Sequence, residues 1–146
     1  WDNEILSVRP DWLSIMIGIN DIWRQFDSPA QPELHIHPTE YEANLDAMLA
    51  AAKSKVQGGI IVMAPFYLEL NRADAMLALT LQYAAIARAM AQKHETLFID
   101  TQAHFDRLLA SRHPNFIAWD RVHPNNVGHT LLARAFLEAI DFDFKA

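Results

Sequence analysis

The sequence predicts an α/β protein built on a parallel sheet, and two observations lead to this prediction. Three short apolar segments recur along the 146 residues, and each is followed by a longer segment with the periodicity of an amphipathic helix. Alternation of strands and helices in this order is typical of parallel βαβ units. The length also suits one hydrophobic core rather than two. A single α/β domain over residues 1–146 is therefore expected.

The three predicted strands are the apolar segments themselves. The first, Trp12 to Gly18, reads WLSIMIG and is apolar enough to be buried on both faces. The second, Gly59 to Pro65, reads GIIVMAP, and the third, Thr96 to Thr101, reads TLFIDT. Glycine and proline bound the second segment, as they commonly do at strand ends.

The predicted helices lie between and after these strands. A short helix, DIWRQF, follows the first strand, and a Pro-rich loop runs from Phe26 to Pro38. Thr39 and Glu42 form a candidate capping box for the next helix. The apolar stripe of that helix consists of Tyr41, Leu45, Met48, Leu49, Ala52 and Val56. The remaining helices are predicted over residues 73–93, after Thr101, and from about Asn125, the last with Val127, Leu131, Leu132, Ala135, Phe136 and Ile140 facing inward.

Composition excludes several classes of protein. The chain carries 12 Lys and Arg against 18 Asp and Glu, without a basic run, which disfavours a nucleic-acid partner. It contains no cysteine, so disulfides, thiolate zinc sites and a cysteine nucleophile are all excluded. No apolar run approaches the roughly 20 residues that a membrane span needs. The first residues, WDNEILSVRP, look like the end of a helix already in progress, which predicts a chain opened upstream. The compartment therefore cannot be read from this terminus, although the cytoplasm is slightly favoured.

A polar turn, Gly18 to Asp21, follows the first predicted strand, where ligands bind in open parallel sheets. One interpretation is structural, with Asn20 or Asp21 capping the short helix that follows. The other is functional, since an amide just beyond a strand end is a preformed donor for developing negative charge.

A second polar turn, Asp120 to Pro124, precedes the last predicted helix. Its structural interpretation is a surface turn in which Pro124 sits just ahead of the helix and Asn125 caps it. Its functional interpretation is a general base, because a carboxylate bonded to one ring nitrogen of a histidine fixes the tautomer. Asp120 and His123 have the spacing that brings both side chains to one side of a turn.

Together these stretches resemble the SGNH hydrolases, also called the GDSL esterase/lipase family. The turn Gly18-x-Asn20-Asp21 is similar to the third block of that family, and DRVHP at residues 120–124 is similar to the fifth. The resemblance covers essentially the whole chain. It implies a flavodoxin-like three-layer α/β/α sandwich, an oxyanion donor at Asn20, a general base at His123 and an orienting carboxylate at Asp120. It also implies a short-acyl ester as substrate, possibly an acetyl group on a carbohydrate, and no cofactor.

The nucleophile block of the family, a Gly-Asp-Ser turn after the first strand, does not occur in this sequence. Ser28, in Phe26-Asp27-Ser28-Pro29, mimics it in letters, but it follows a helix and comes after the Asn20 block. The expectation is an SGNH domain that is N-terminally incomplete, lacks its first two strands and is inactive by itself. In the resembled fold another strand lies beside residues 12–18, so a companion N-terminal segment or a strand swapped from a second copy is expected there.

Two other functions remain open at this stage. A non-catalytic module on the same fold would bind a carbohydrate through rim aromatics, with Trp23, Tyr67 and Trp119 as the candidates. A zinc hydrolase would use histidines drawn from His35, His37, His104, His123 and His129, but no carboxylate completes a recognisable spacing, so no metal site is predicted. For Arg24 and Arg121 the alternatives are pairing with an acidic substrate and salt bridges on helix surfaces, of which the salt bridges are favoured.

Overall fold

The structure, a computed structural model, describes residues 1–145. Its strands are β1 (Trp12–Ile15), β2 (Gly59–Met63) and β3 (Leu97–Ile99). Its α-helices are α1 (Ile19–Asp27), α2 (Pro38–Lys53), α3 (Ala75–Lys93), α4 (Thr101–Leu109) and α5 (Asn126–Ala139). Short 3-10 helices occupy Leu6–Val8, Pro32–Leu34 and Pro114–Phe116.

The three strands form one parallel sheet in the order β1-β2-β3, which confirms the predicted class of fold. Trp12 pairs with Gly59 across the first ladder, and Ile61 pairs with Leu97 across the second. Parallel pairing places all three carboxyl ends on one rim of the sheet. The segments that follow β1 and β2 therefore begin side by side.

Alternate residues of β2 point to opposite faces of the sheet and create two cores. Ile60 and Val62 pack with the buried residues of α1, α2 and α3, whereas Ile61 and Met63 pack with those of α4 and α5. All four side chains are buried, as expected for a central strand that is covered on both sides. Helices on both faces of a parallel sheet form the three-layer α/β/α sandwich.

Residues 12–18 are not buried on both faces within residues 1–145, whereas the open strand edge expected there is present. Trp12 is 54% exposed and Met16 is 46% exposed, and only Ile15 of β1 is buried. Within residues 1–145, β1 pairs with β2 alone, so its other edge keeps unpaired backbone groups. The continuous apolar pattern identified the strand correctly, but burial depends on what lies beside it.

Two local predictions about helix starts also differ from the structure. The capping box at Thr39 and Glu42 does not form, because the N-cap of α2 is His37, two residues before Thr39, and the helix begins at Pro38. Proline at the first helical position has its backbone angle preset and lacks the amide that a cap would satisfy, so Thr39 is already helical. The first residues are not the end of an α-helix either, since residues 2–5 form turns before the 3-10 helix at Leu6–Val8.

Most of the predicted inward-facing residues are buried, but α5 differs in part. Val127 is 40% exposed and Ile140 is 37% exposed, whereas Leu132 and Ala135 are buried. The buried face of α5 begins at Gly128 in the first turn, so Val127 lies beside that face rather than within it.

Among residues 1–145, none of the helices combines the length and the apolar character that a membrane crossing requires.

The packing of α2 against the sheet yields a stability prediction. Leu49 is fully buried, so Leu49→Ala should lower the free energy of unfolding by about 2–5 kcal/mol through lost burial and a residual cavity. Leu81→Ala is the matched control, because Leu81 is 44% exposed on α3 and should change stability by less than about 1 kcal/mol. Urea denaturation of both variants measures the difference. Equal losses would contradict the assignment of Leu49 to the core.

Candidate active site

The polar turn after β1 leaves the Asn20 side chain uncommitted. The N-cap of α1 is Gly18, whose positive φ of 118° favours glycine, and α1 begins at Ile19. Asn20 and Asp21 therefore lie inside the first helical turn, and neither side chain caps the helix. The Asn20 amide is exposed and makes no hydrogen bond to another residue of the described chain. The capping interpretation of these two residues is wrong.

Asp21 faces the opposite side of that turn. It is half-buried near Tyr41 and Glu40, and burial followed by the charge of Glu40 raises the pKa of its carboxyl. Burial likewise raises the pKa of the Tyr41 hydroxyl, which donates a hydrogen bond to the Ile17 carbonyl. These contacts fix the turn on the side of α2, and Asn20 is exposed to solvent on the other side.

The second polar turn folds around the carboxylate of Asp120. Oδ1 accepts hydrogen bonds from the backbone amides of Val122 and His123, at 3.1 and 2.9 Å. Oδ2 lies 2.5 Å from Nδ1 of His123. The Asp120 side chain is only 9% exposed, whereas that of His123 is 67% exposed. One carboxylate therefore shapes the turn and holds the imidazole ring at the same time.

The electrostatics of this pair fix the tautomer of His123. Burial by itself raises the pKa of Asp120, but hydrogen bonds from the amide and ring of His123 and from the Val122 amide outweigh it and lower the pKa. An ionised carboxylate only accepts hydrogen bonds, so Nδ1 of His123 must carry the proton. The lone pair on Nε2 is then available to accept a proton from a bound molecule.

The first turn of helix α5 packs against the segment that carries His123. Asn125 caps the helix by accepting from the amides of Val127 and Gly128, and it donates from Nδ2 to the Phe116 carbonyl at 2.9 Å. A Cβ at Gly128 would lie 2.4 Å from Cβ of Pro124, so only glycine lets the helix approach the His123-Pro124 segment this closely. The predicted cap at Asn125 is present, and it coexists with the Asp120–His123 pair.

The two polar turns meet in one cleft of about 250 Å³, here called the rim cleft. Asn20 and His123 both line it, although they are more than 100 residues apart in sequence. Its other walls are largely apolar and come from the strand ends and α5: Met16, Ile17, Ile19, Pro65, Phe66, Val122, Pro124, His129 and Leu132. No serine is among the residues that line it.

The predicted rim aromatics divide into two groups. The indole of Trp23 lies edge-on to the His123 ring, with centroids 5.7 Å apart. None of the three aromatics is among the residues that line the rim cleft, and Trp119 is 83% exposed. Tyr67 is instead half-buried, with its backbone amide and carbonyl both bonded to the side chain of Gln102.

Ser28 and the loop histidines lie away from the rim cleft. Ser28 is the C-cap residue of α1, and its carbonyl accepts a hydrogen bond from Nε2 of His35 at 3.0 Å. The rings of His35 and His37 are edge to face, 6.0 Å apart. Within residues 1–145, no group of three or more His, Asp and Glu side chains is arranged to hold a metal ion.

Sequence reasoning missed two parts of the site. The apolar walls at Pro65 and Phe66 follow β2 directly, and their position after a central parallel strand was the signal that could have found them. The other is Arg121, which pairs with the buried Glu69 rather than with a residue on a helix surface. Arg24 does form the predicted helix-surface bridge, with Asp27. No local sequence pattern predicts the contact between Arg121 and Glu69, because the two residues are 52 positions apart.

The fold and the paired turns define a protein of the SGNH class, and comparison with known proteins agrees. The model of the GDSL-like lipase/acylhydrolase family matches residues 1–131. The chain belongs to this family.

Individual relatives are similar over nearly the whole chain. An acetylxylan esterase from Geobacillus stearothermophilus is 46% identical over 144 residues, which are 99% of this chain and 65% of that protein. Its crystal structure superposes with a TM-score of 0.95, over 98% of this chain and 65% of that one. An alpha/beta hydrolase from the metagenome of Lake Arreo, Spain, is 44% identical with a TM-score of 0.94, over 97% of this chain and 65% of that chain. The chain thus spans about 65% of the length of these relatives.

Variants of the Geobacillus esterase that are described as catalytic mutants are also similar in structure to this chain. One replaces a serine, another an aspartate and a third a histidine, each by alanine. The replaced aspartate and histidine are three residues apart in that protein, which is the spacing of Asp120 and His123 here.

The lowered pKa of Asp120 generates a prediction about stability and pH. A carboxyl whose pKa is lower in the folded than in the unfolded state stabilises the fold above its unfolded pKa, and that contribution is lost as the pH falls through the folded value. Asp120→Asn should therefore destabilise the protein most near pH 7, and the difference from wild type should shrink below the ordinary value of 3.8. Urea denaturation at several pH values between 7 and about 3 measures this.

The exposed Asp11 provides the control for that experiment. Its side chain makes no hydrogen bond to another described residue, so Asp11→Asn should change stability little at any pH. A stability difference for Asp120→Asn that stays constant with pH would show that the ionised carboxylate is not what holds the turn.

Proposed function

We propose that this chain forms part of a serine ester hydrolase, in which His123 is the general base, Asp120 orients it and Asn20 stabilises the oxyanion. The observation that carries the proposal is the presence of Asn20 and the Asp120–His123 pair in one cleft. A fixed imidazole beside an uncommitted amide donor is the arrangement that acyl transfer through a tetrahedral intermediate requires.

The proposed reaction needs a nucleophile that residues 1–145 do not place in the rim cleft. We propose a serine from elsewhere in the full-length protein. Its hydroxyl oxygen would attack the acyl carbonyl while Nε2 of His123 takes the proton. The carbonyl oxygen becomes an oxyanion, to which the Asn20 amide donates. His123 then returns the proton to the leaving alcohol, and water releases the acyl group by the same steps.

Acetyl esters of xylan or xylo-oligosaccharides are the substrates we propose first. The support is the 46% identity to a protein described as an acetylxylan esterase. A carbohydrate alcohol would extend out of the cleft past the exposed side of His123, where Trp23 offers an aromatic edge.

Three variants of the full-length protein test the proposed roles, with p-nitrophenyl acetate and acetylated xylo-oligosaccharides as substrates. Asn20→Ala should lower kcat by about 10²–10³, the usual effect of losing one oxyanion donor. Asp120→Asn should lower kcat by about 10⁴ through the wrong tautomer, and His123→Ala should lower it at least as much. Asn44→Ala, at an exposed position on α2, should behave like wild type and serves as the control.

The identity of the nucleophile has its own test. An organophosphate that phosphorylates activated serines should label one serine of the full-length protein outside residues 1–145, identified by peptide mass spectrometry. A polypeptide restricted to residues 1–146 should be neither labelled nor active, because no serine lines the rim cleft. Labelling of Ser28, or esterase activity of the short polypeptide, would refute this assignment.

A further inference from the structure

The Asp120–His123 turn contains a residue in an unfavourable backbone conformation. Arg121 has a φ of 68°, in the left-handed region that residues other than glycine, asparagine and aspartate seldom occupy. Such a conformation persists only where surrounding contacts hold it. The contacts of Arg121 therefore contribute to the shape of the turn that presents His123.

Both the backbone and the side chain of Arg121 are held by the segment that follows β2. The Leu68 amide donates to the Arg121 carbonyl at 3.0 Å. The Arg121 guanidinium donates from Nη1 to Oε2 of Glu69, and the other carboxylate oxygen of Glu69 accepts from the Asn71 amide at 2.8 Å. Glu69 is 8% exposed, whereas the Arg121 side chain is 38% exposed, so the carboxylate of this ion pair is shielded and its guanidinium meets solvent.

The segment that carries Glu69 is itself fixed to the rest of the fold. Gln102, 2% exposed on α4, accepts from the Tyr67 amide at 2.8 Å and donates to the Tyr67 carbonyl at 3.1 Å. The next two residues, Leu68 and Glu69, are those that hold Arg121. Hydrogen bonds at both ends of the short backbone segment 67–69 thus connect α4 to the turn of His123.

We propose that Glu69 is a positioning residue for His123 and acts through Arg121. Glu69 does not line the rim cleft, so it touches no bound substrate there. Its carboxylate instead holds Arg121 in the left-handed conformation, which keeps the amides of Val122 and His123 on the Asp120 carboxylate and the imidazole in line with it. This inference rests on the proposed function, in which His123 is the general base.

Kinetics of the full-length protein provide the first test. Glu69→Gln removes the charge but keeps the size, and we expect kcat for p-nitrophenyl acetate to fall about tenfold with KM within about twofold. Arg121→Gly accepts a φ of 68° without strain, but glycine adopts negative φ values equally readily and no longer has the ion pair that holds the turn, so it should lose about the same factor. The double variant should fall no further than either single variant, because both changes break one contact. Arg121→Lys keeps a cation that can pair with Glu69, so its kcat should be higher than that of Arg121→Gly.

A second readout separates positioning from general stabilisation and does not depend on turnover. The proton on Nδ1 of His123, in a short bond to a carboxylate, should give a downfield proton resonance that His123→Ala abolishes. Glu69→Gln and Arg121→Gly should shift or broaden this resonance at temperatures well below the melting transition. Glu138→Gln, which breaks an exposed ion pair with Arg134 on α5, should leave the resonance and kcat unchanged.

The outcomes distinguish this inference from the proposed function. If Arg121→Gly keeps wild-type kcat and an unshifted resonance, the left-handed turn alone suffices and the positioning role is wrong. The same conclusion follows if Glu69→Gln lowers the melting temperature while kcat and the resonance stay unchanged. If the full-length protein hydrolyses no ester at all, the proposed function fails, and the resonance by itself still decides whether Glu69 positions His123.

Discussion

The site depends on the parallel pairing of the central strand Gly59–Met63 with its two neighbours. Pairing in this register brings the end of β1 beside the end of β2, which sets the Asn20 turn next to Pro65 and Phe66. The same strand divides its side chains between the two faces, so the helices are held on both sides. A shift of one residue would exchange the faces and bury the wrong set of side chains. The position of Asn20 is therefore a consequence of core packing.

The Asp120 turn reaches the same rim by a different route. Its three hydrogen bonds are local, within four residues, and could form in any chain that contains this turn. What places the turn beside Asn20 is α5, which packs on the far face of the sheet and approaches closely because residue 128 is glycine. Local hydrogen bonds thus form the Asp120–His123 pair, and the packing of α5 places that pair at the rim cleft.

Two buried polar residues and two partly buried ones connect these parts. Gln102, Tyr67, Glu69 and Arg121 link α4 to the His123 turn through hydrogen bonds and one ion pair. Each is unremarkable when considered singly in the sequence. Their arrangement explains how a non-glycine residue can occupy the left-handed position between Asp120 and Val122.

The sequence by itself determined the order of strands and helices, the family, and the residues Asn20, Asp120 and His123 as candidates. It could do so because helical and strand periodicity are local, and because the two motifs are short segments whose spacing is readable from the letters. The catalytic roles of these three residues are proposals that draw on the sequence and on the structure alike.

Only the tertiary structure decided which of these features work together. Trp12 and Met16 are exposed although the pattern of residues 12–18 is apolar, because burial depends on what packs beside and over β1 and not on the pattern alone. The separation of Tyr67 and Trp119 from the cleft depends on loop paths that periodicity does not describe. The ion pair of Glu69 with Arg121 joins residues 52 positions apart, and a contact across that separation is set by the packing of the layers and not by either residue's neighbours in the chain.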